Sequence, residues 1–554
     1  MKRNSGNKTR LLGNVVDVEA LTEIRNLLGG MPRRRDLLIE YLHLVQDHYK
    51  HISRRHIQAL AEELKLPQAE VYEVATFYHH FDVIDGDGRT PPPEITVRVC
   101  ESLTCEMFGS GQLIKELRAK FGDAVRVQPV PCVGRCDDAP AAVVGTNPVA
   151  RATAAEVESA VRERRLEIEP REYIDYAQYR NDGGYDLLKR CVEGGHQRKT
   201  VIKTLQDANL RGLGGAGFPA GKKWEILTTK AKPRYVAINI DEGEPGTFKD
   251  RYYLERDPHR FIEGSLIAAW AIESEDVYLY LRDEYAGCRR ILETELEKLR
   301  RDPPCPLPPI HLRRGAGAYI CGEESAMIES IEGKRGMPRL RPPFVADAGI
   351  FGQPTLEQNM ETMHWIRDII EKGPEWFTSQ GRHGRKGFRS FSVSGRINKP
   401  GVHLAPAGIT IRELIDEYCG GMLPGHEFYG YFPGGASGGI LPASLGDIPL
   451  DFDTLQPYGS FIGSAAIIVL SDKDSARAMA LNAMAFFRDE SCGQCTPCRV
   501  GTEKAINLMQ EEKWDTGLLE ELAAAMEDAS ICGLGQAAPN PLRCAIKYFP
   551  EEFS

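Results

Sequence analysis

The 554-residue sequence predicts an α/β multidomain chain organised around a nucleotide site, and three observations carry that reading. The run Arg314–Phe344 sets glycines and acids between a strand-like segment, Pro309–Arg313, and a segment with helical apolar spacing, Ala326–Ile331. A second glycine-rich run, Arg211–Trp224, lies upstream, and two sets of four cysteines flank the pair. The length suits roughly three to four domains. The net charge of −10 argues against a nucleic-acid partner, and no apolar run is long enough to span a membrane. The basic start Met1–Arg10 has no apolar stretch behind it and is not a secretory signal. Fourteen cysteines in a chain read as cytoplasmic point to metal or redox sites rather than disulfides.

From the N-terminus, residues 1–90 read as a helical module. Leu37, Leu38, Tyr41, Leu42 and Val45, then Ile57, Leu60, Ala61 and Leu64, recur at helical spacing, and Leu66–Glu70 turns into a third helix. Packing is its expected role. Asp85–Pro93 is a linker by composition. Residues 91–170 then form a βαβ unit: a strand at Ile95–Val99, a helix through Leu113–Leu117 and a strand at Val125–Val130. Cys100 and Cys105 follow the first strand, and Cys132 and Cys136 follow the second. Thiolates at these spacings hold either zinc or a 2Fe-2S cluster, and the absence of C-x2-C knuckles favours iron–sulfur. Glu167–Tyr173, in a mixed and charged stretch, reads as a connector.

Residues 171–388 form the nucleotide domain. Gly212, Gly214 and Gly217 match G-x-G-x-x-G, yet a helix pattern, Val201–Leu210, precedes them where a dinucleotide fold needs a strand. Ala216 and Lys223 break the P-loop pattern. The run is another kind of phosphate loop, against the competing reading of a plain tight turn. Tyr235–Asn239 reads as a buried strand ending in the acidic loop Asn239–Thr247, and Gly315, Gly317 and Gly322 are expected to let backbone approach a ligand. Residues 389–472 mix strands at Phe391–Gly395, Gly430–Phe432 and Ala465–Leu470 with a helix at Ile411–Tyr418. Gly434–Gly439 is expected to be a structural or electron-path loop rather than a phosphate loop. Residues 473–554 are helical. They carry Cys492, Cys495 and Cys498 at C-x2-C-x2-C spacing with Cys532 further on, a 4Fe-4S pattern in which Gly493 and Gly533 are expected to bring N–H groups to the sulfurs. The other six cysteines are too scattered to form another cluster.

The runs RGLGGAGFPAGKKW, NIDEGEPGTFKDR and GAGAYICGEESAMIESIEGKRGMPRLRPPF, in that order, resemble the flavin- and NAD-binding subunit of complex I and its diaphorase relatives. EVYEVATFY, CESLTC and PCVGRC resemble that enzyme's thioredoxin-like 2Fe-2S subunit, and ESCGQCTPCRVG is similar to its 4Fe-4S motif. The resemblance implies a thioredoxin-like 2Fe-2S domain, a Rossmann-like FMN/NAD domain, a ubiquitin-like α+β domain and a C-terminal helical 4Fe-4S domain. It implies FMN contacts at Arg211, Gly212, Gly214, Lys223, Asn239, Asp241, Glu242, Gly322, Glu323, Glu324, Asn359 and Thr362. For NAD it implies Phe218, Glu244, Arg341 and Phe344. Two departures stand out: Gln358-Asn359 replaces the usual paired asparagines, and Arg341 replaces a usual lysine. The implied activity is a diaphorase: nicotinamide passes hydride, iron–sulfur centres pass single electrons, and FMN converts between them, so no catalytic side chain is required. With both modules fused and all four N-terminal cysteines present, the chain most resembles the β subunit of NAD-dependent formate dehydrogenase. That resemblance implies a hetero-oligomer with a molybdenum or tungsten bis-pterin α subunit. The alternatives are the diaphorase subunit of an NAD-reducing hydrogenase or of an NADH:quinone oxidoreductase and, from another class, a zinc-bearing nucleotide scaffold without turnover.

Overall fold

The computed structural model describes residues 16–84 and 90–553. The basic start and residues 85–89 of the linker lie outside the described residues. The chain divides into two units, residues 1–92 with 332–335, and the remainder.

In the first unit the helices are Val18–Leu28, Leu38–Tyr49, Arg54–Leu64 and Gln68–Phe77, with β1 (Ile52–Ser53) and β2 (Val83–Ile84) paired in parallel. The first of these helices lies inside the expected helical module but before the apolar positions that mark it in the sequence. Its signal is short but complete: Asp17 accepts from Glu19 and Ala20 N–H, and Ala20, Ile24 and Leu28 form a buried stripe at i, i+4 and i+8. The Tyr78 hydroxyl donates to the Lys334 carbonyl at 2.7 Å, tying residues 332–335 into this unit.

The second unit holds three sheets. In the first, β3 (Thr96–Cys100) and β4 (Arg126–Val130) are parallel, and β5 (Ala142–Val144) and β6 (Asn147–Val149) add antiparallel, in the order β4-β3-β5-β6. The crossover helix Ser110–Phe121 buries Leu113, Ile114 and Leu117 against Val97, Val99 and Val127.

The second sheet is wholly parallel. It contains β7 (Tyr235–Ile240), β8 (Asp276–Leu281), β9 (Ile310–Arg314) and β10 (Thr355–Asn359), in the order β10-β7-β8-β9. Helices cover both faces, so β7 and β8 are almost continuously apolar. The chain moves from β7 to β8 on one side and returns to β10 on the other. The loops after β7 and β10 therefore diverge, opening a crevice at the carboxyl ends of the strands.

The third sheet orders β11 (Phe388–Gly395), β12 (Gly401–Pro406), β13 (Phe428–Phe432), β14 (Leu441–Pro442) and β15 (Ala466–Ser471) as β12-β11-β15-β13-β14. The sequence does not announce the edge strands β12 and β14. One has mostly half-exposed residues and the other is two residues long, so neither carries an alternating pattern. The chain ends in helices that include Ala476–Asp489, Thr496–Met509, Thr516–Ala529 and Asn540–Tyr548. Among the described residues, no helix is long and apolar enough to cross a membrane.

Candidate cofactor and cluster sites

A cavity of about 1360 Å³ opens at the divergence of β7 and β10. Its walls include Gly212, Gly214, Phe218, Lys223, Asn239, Asp241, Glu242, Glu244, Gly322, Glu323, Glu324, Arg341, Phe344 and Asn359. Arg211 and Thr362 are not in that wall. Arg211 instead braces the first glycine loop, donating to the Gly217 carbonyl at 2.5 Å and pairing with Asp453 at 2.6 Å. The buried Thr362 hydroxyl accepts from Leu213 N–H at 2.9 Å, holding the loop from behind.

The glycines serve different purposes. Of Gly315, Gly317 and Gly322, only Gly317 has a left-handed backbone, with φ of 72°. At Gly315 and Gly322 the need is for space: a β-carbon would lie 3.3 Å from the Arg282 Cα and 3.2 Å from the Asp241 carbonyl oxygen, respectively. Gly214 likewise passes so close to Asn359 that a β-carbon would come within 2.9 Å of its side chain.

The cavity is acidic, with cations set among the acids. Lys223 Nζ lies 2.9 Å from Glu357 and 3.8 Å from Glu324. Burial pulls the ammonium's pKa down, but these carboxylates outweigh it and the pKa is raised. Arg341 pairs with Glu323 and, at 2.9 Å, with Glu324, so the arginine at this departure from the family pattern neutralises the paired acids. Glu242 turns away from the open space. It accepts from Asp250 N–H at 2.9 Å, Arg251 N–H at 3.2 Å and the Tyr285 hydroxyl at 2.8 Å, capping the helix Lys249–Leu254. Burial, then the neighbouring Asp250 charge, pushes its carboxyl up to about 7. Burial also raises Asp241 well above the usual carboxylate range, and its Oδ2 is buried without a partner. Asn239 donates to the Gly322 carbonyl at 2.9 Å, and Asn359 caps the next helix while donating to Asp250 at 2.9 Å.

Glu244 is clasped on both oxygens. Oε2 takes the Tyr319 hydroxyl, and Oε1 takes Ser437 N–H at 2.7 Å and the Ser437 hydroxyl at 2.9 Å. Tyr319, Ser437 and Gln358 escaped sequence reasoning. Gln358 is buried on the cavity wall with its Nε2 unpartnered, although it breaks the familiar asparagine pair. Ser437 belongs to Gly434–Gly439, read from sequence as a structural or electron-path loop. Its signal was the two glycines before it, since Gly435 has φ of 74° and a β-carbon there would sit 2.6 Å from the Glu244 Cγ.

The first cysteine set converges. Cys100 is within hydrogen-bond reach of Cys105 and Cys132, and the Cys132 and Cys136 sulfurs lie 3.4 Å apart. All four are buried. Gly134 N–H and Ala141 N–H point at the Cys132 and Cys105 sulfurs, each at 3.4 Å. In the second set, Cys498 reaches Cys495 and lies 3.3 Å from the Ser491 hydroxyl, while Gln494 N–H donates to Cys492. Leu534 and Gly535 N–H donate to Cys532. The glycine of close approach is therefore Gly535, where a β-carbon would lie 2.8 Å from the Cys498 Cβ, and not Gly533, which faces open space.

These residues fit the groups expected of them. Four thiols with N–H donors aimed at sulfur suit an iron–sulfur centre. The unpartnered Asp241 Oδ2 and Gln358 Nε2, beside a glycine loop and a half-buried lysine, suit a phosphorylated flavin with polar ring and ribityl groups.

Comparisons with known proteins agree with this geometry. Residues 24–165 match the family described as thioredoxin-like [2Fe-2S] ferredoxin. Residues 205–368 match the Nuo51 FMN-binding domain, and residues 478–554 match the NADH-ubiquinone oxidoreductase-F iron-sulfur binding region. An F-type chain of the NADH-quinone oxidoreductase of Rhizobium meliloti is 40% identical over 390 residues, 68% of this chain and 92% of its own length. The mitochondrial NADH-ubiquinone oxidoreductase 51 kDa subunit of Neurospora crassa is 39% identical over 392 residues, covering 67% and 79%. A chain of an NAD+-reducing [NiFe]-hydrogenase in the H2-reduced state superposes with a TM-score of 0.82 at 30% identity, covering 94% of this chain and 92% of that one. With FMN-binding, 2Fe-2S and 4Fe-4S domains in one polypeptide, the chain belongs to the family of the 51 kDa flavoprotein subunits of NADH-quinone oxidoreductase, with a 24 kDa-like ferredoxin domain fused ahead of it.

Proposed function

We propose that this chain is the diaphorase subunit of a cytoplasmic, multi-subunit oxidoreductase, exchanging electrons between NAD(H) and a partner subunit through FMN and two iron–sulfur clusters. The flavin, when bound, supplies the conversion between hydride and single-electron chemistry. The chain's own residues hold and orient. Lys223 supplies the cation for an anionic phosphate or flavin edge, Asn239, Asp241 and Asn359 meet polar flavin groups, and Phe218 and Phe344 offer aromatic faces at the mouth. Glu244 and Arg341 face NAD(H).

The observation that carries the partner's identity is the end-to-end likeness to a chain of an NAD+-reducing [NiFe]-hydrogenase, whereas the separate 51 kDa-type chains match about two thirds of this one. It favours a hydrogenase-type partner that oxidises or produces H2. One observation keeps formate dehydrogenase as a second reading: all four N-terminal cluster cysteines are present in a fused chain and converge. The test is NAD+ reduction by the purified native complex with H2, formate or a reduced quinone as donor, beside NADH-to-dye reduction by this chain alone. Reduction with H2 alone supports the first reading, and reduction with formate alone replaces it with the second. Absence of dye reduction by the flavin-loaded chain rejects both.

A further inference from the structure

The loop Gly434–Gly439 comes from the third sheet, yet its turn is built around an acid of the nucleotide domain. We infer that Ser437 is a positioning residue for nicotinamide recognition, fixing through Glu244 the one acceptor left to read the carboxamide N–H. The inference rests on the reading that Glu244 faces NAD(H).

Each carboxylate oxygen has two lone-pair sites. Ser437 fills both on Oε1 with its N–H and its hydroxyl, and the Tyr319 hydroxyl fills one on Oε2. A single acceptor position remains, and the three bonds stop the carboxylate from rotating. Among the described residues, no cation lies within ion-pair distance of Glu244, so neutral donors alone hold it. The remaining position suits another neutral N–H donor. The nicotinamide carboxamide has one, whereas an acetyl group of nearly the same shape has none.

The turn is itself anchored. Gly435 N–H donates to the Ala466 carbonyl of β15 at 2.8 Å, and Asn540 Nδ2 donates to the Ser437 carbonyl at 2.9 Å from the start of a C-terminal helix. Gly434 and Gly435 leave no room for side chains, since β-carbons there would meet the Phe461 carbonyl oxygen at 2.3 Å and Glu244 at 2.6 Å. An ordinary surface turn would need none of these supports.

The test compares equilibrium binding of NAD+ and of 3-acetylpyridine adenine dinucleotide, which lacks the amide donor, to the full flavin-loaded chain. Oxidised-flavin absorbance reports binding without turnover. Wild type should prefer NAD+, because a site built to accept an N–H penalises its loss. Ser437→Ala should weaken NAD+ binding roughly tenfold while leaving the acetyl analogue within about twofold, and Ser437→Thr should restore the preference. Asn540→Leu, which loosens the turn without touching Glu244, should shift the ratio in the same direction. An unchanged ratio in both Ser437→Ala and Asn540→Leu overturns the proposal. Glu244→Gln separates the levels. If it too leaves the ratio unchanged, Glu244 does not read nicotinamide and the underlying reading fails; if it abolishes the preference while Ser437→Ala does not, only the positioning role fails.

Discussion

Lys223 shows how a half-buried side chain stays charged. Its neighbours Glu357 and Glu324 supply more attraction than burial removes, so the ammonium persists at the cavity wall. Removing it leaves Glu357 without its cation beside the flavin's expected place, and Glu324 with Arg341 alone. Lys223→Ala should therefore weaken FMN retention by roughly 10- to 100-fold, the range for losing a charge-assisted hydrogen bond, while both clusters remain. Flavin released on dilution, measured beside iron content, checks this; wild-type flavin retention would remove Lys223 from the FMN site. The neighbouring acids were legible in the sequence as a puzzle, since Glu323 and Glu324 together would repel a phosphate. The structure resolves it through Arg341, which pairs with both. Spacing could not show that pairing, because the arginine lies 18 residues beyond Glu323 on a segment with no periodic pattern.

Two elements carry their own tests. The Cys132–Cys136 loop turns at Gly134, where φ is 68° and a β-carbon would lie 2.3 Å from the Tyr285 hydroxyl oxygen. Gly134→Ala combines backbone strain with a clash, each costing of order 1–3 kcal/mol. It should abolish the 2Fe-2S electron paramagnetic resonance signal while the 4Fe-4S signal persists. Retention of both signals would show that the loop can be rebuilt without glycine.

On the helix Ala286–Arg301, Glu295 accepts from His259 at 2.9 Å, Tyr173 at 2.8 Å, Tyr176 N–H at 2.8 Å and Lys298 at 2.9 Å. Burial alone would raise its pKa, but these donors outweigh burial and lower it to about 2. A folded value below the unfolded one stabilises the protein fully above the ordinary glutamate range and is lost as pH falls toward 2. Glu295→Gln should therefore cost about 3 kcal/mol in denaturant unfolding at neutral pH, a gap that narrows only below about pH 4.5. A gap unchanged down to pH 3 would reject this assignment. Apolar spacing marks the helix but says nothing of its acid, since three of the four partners come from other elements. The same limit holds elsewhere: β7 was readable from its apolar run and β9 from its place before the second glycine turn, whereas β8 and β10 went unread and β12, β14 and the role of Ser437 depend on contacts between distant segments.

At the scale of the second unit, the first cluster domain is tied by polar bonds to the third sheet, to the C-terminal helices and to the flavin domain. Thr104 and Ser394 share a buried hydrogen bond at 2.9 Å, and Asn482 bonds both Leu103 N–H and the Glu101 carbonyl. Arg251, on the flavin-domain helix Lys249–Leu254, reaches the Gly134 carbonyl and Asp137. Arg282, at the end of β8, is the most central of these links. One arm of its buried guanidinium donates to the Cys132 carbonyl at 2.6 Å and another to the Glu242 carbonyl, while Glu284 holds its Nε at 3.2 Å. This side chain acts as a strut between the cluster loop and the loop lining the flavin cavity, so the two cannot drift apart independently. A hop across a gap held in this way does not wait for diffusion of one part toward another. Electron exchange between the flavin and the N-terminal cluster should therefore be insensitive to solvent viscosity, and raising sucrose during rapid-mixing reduction by NADH should leave the cluster's reduction phase unchanged once binding is saturated.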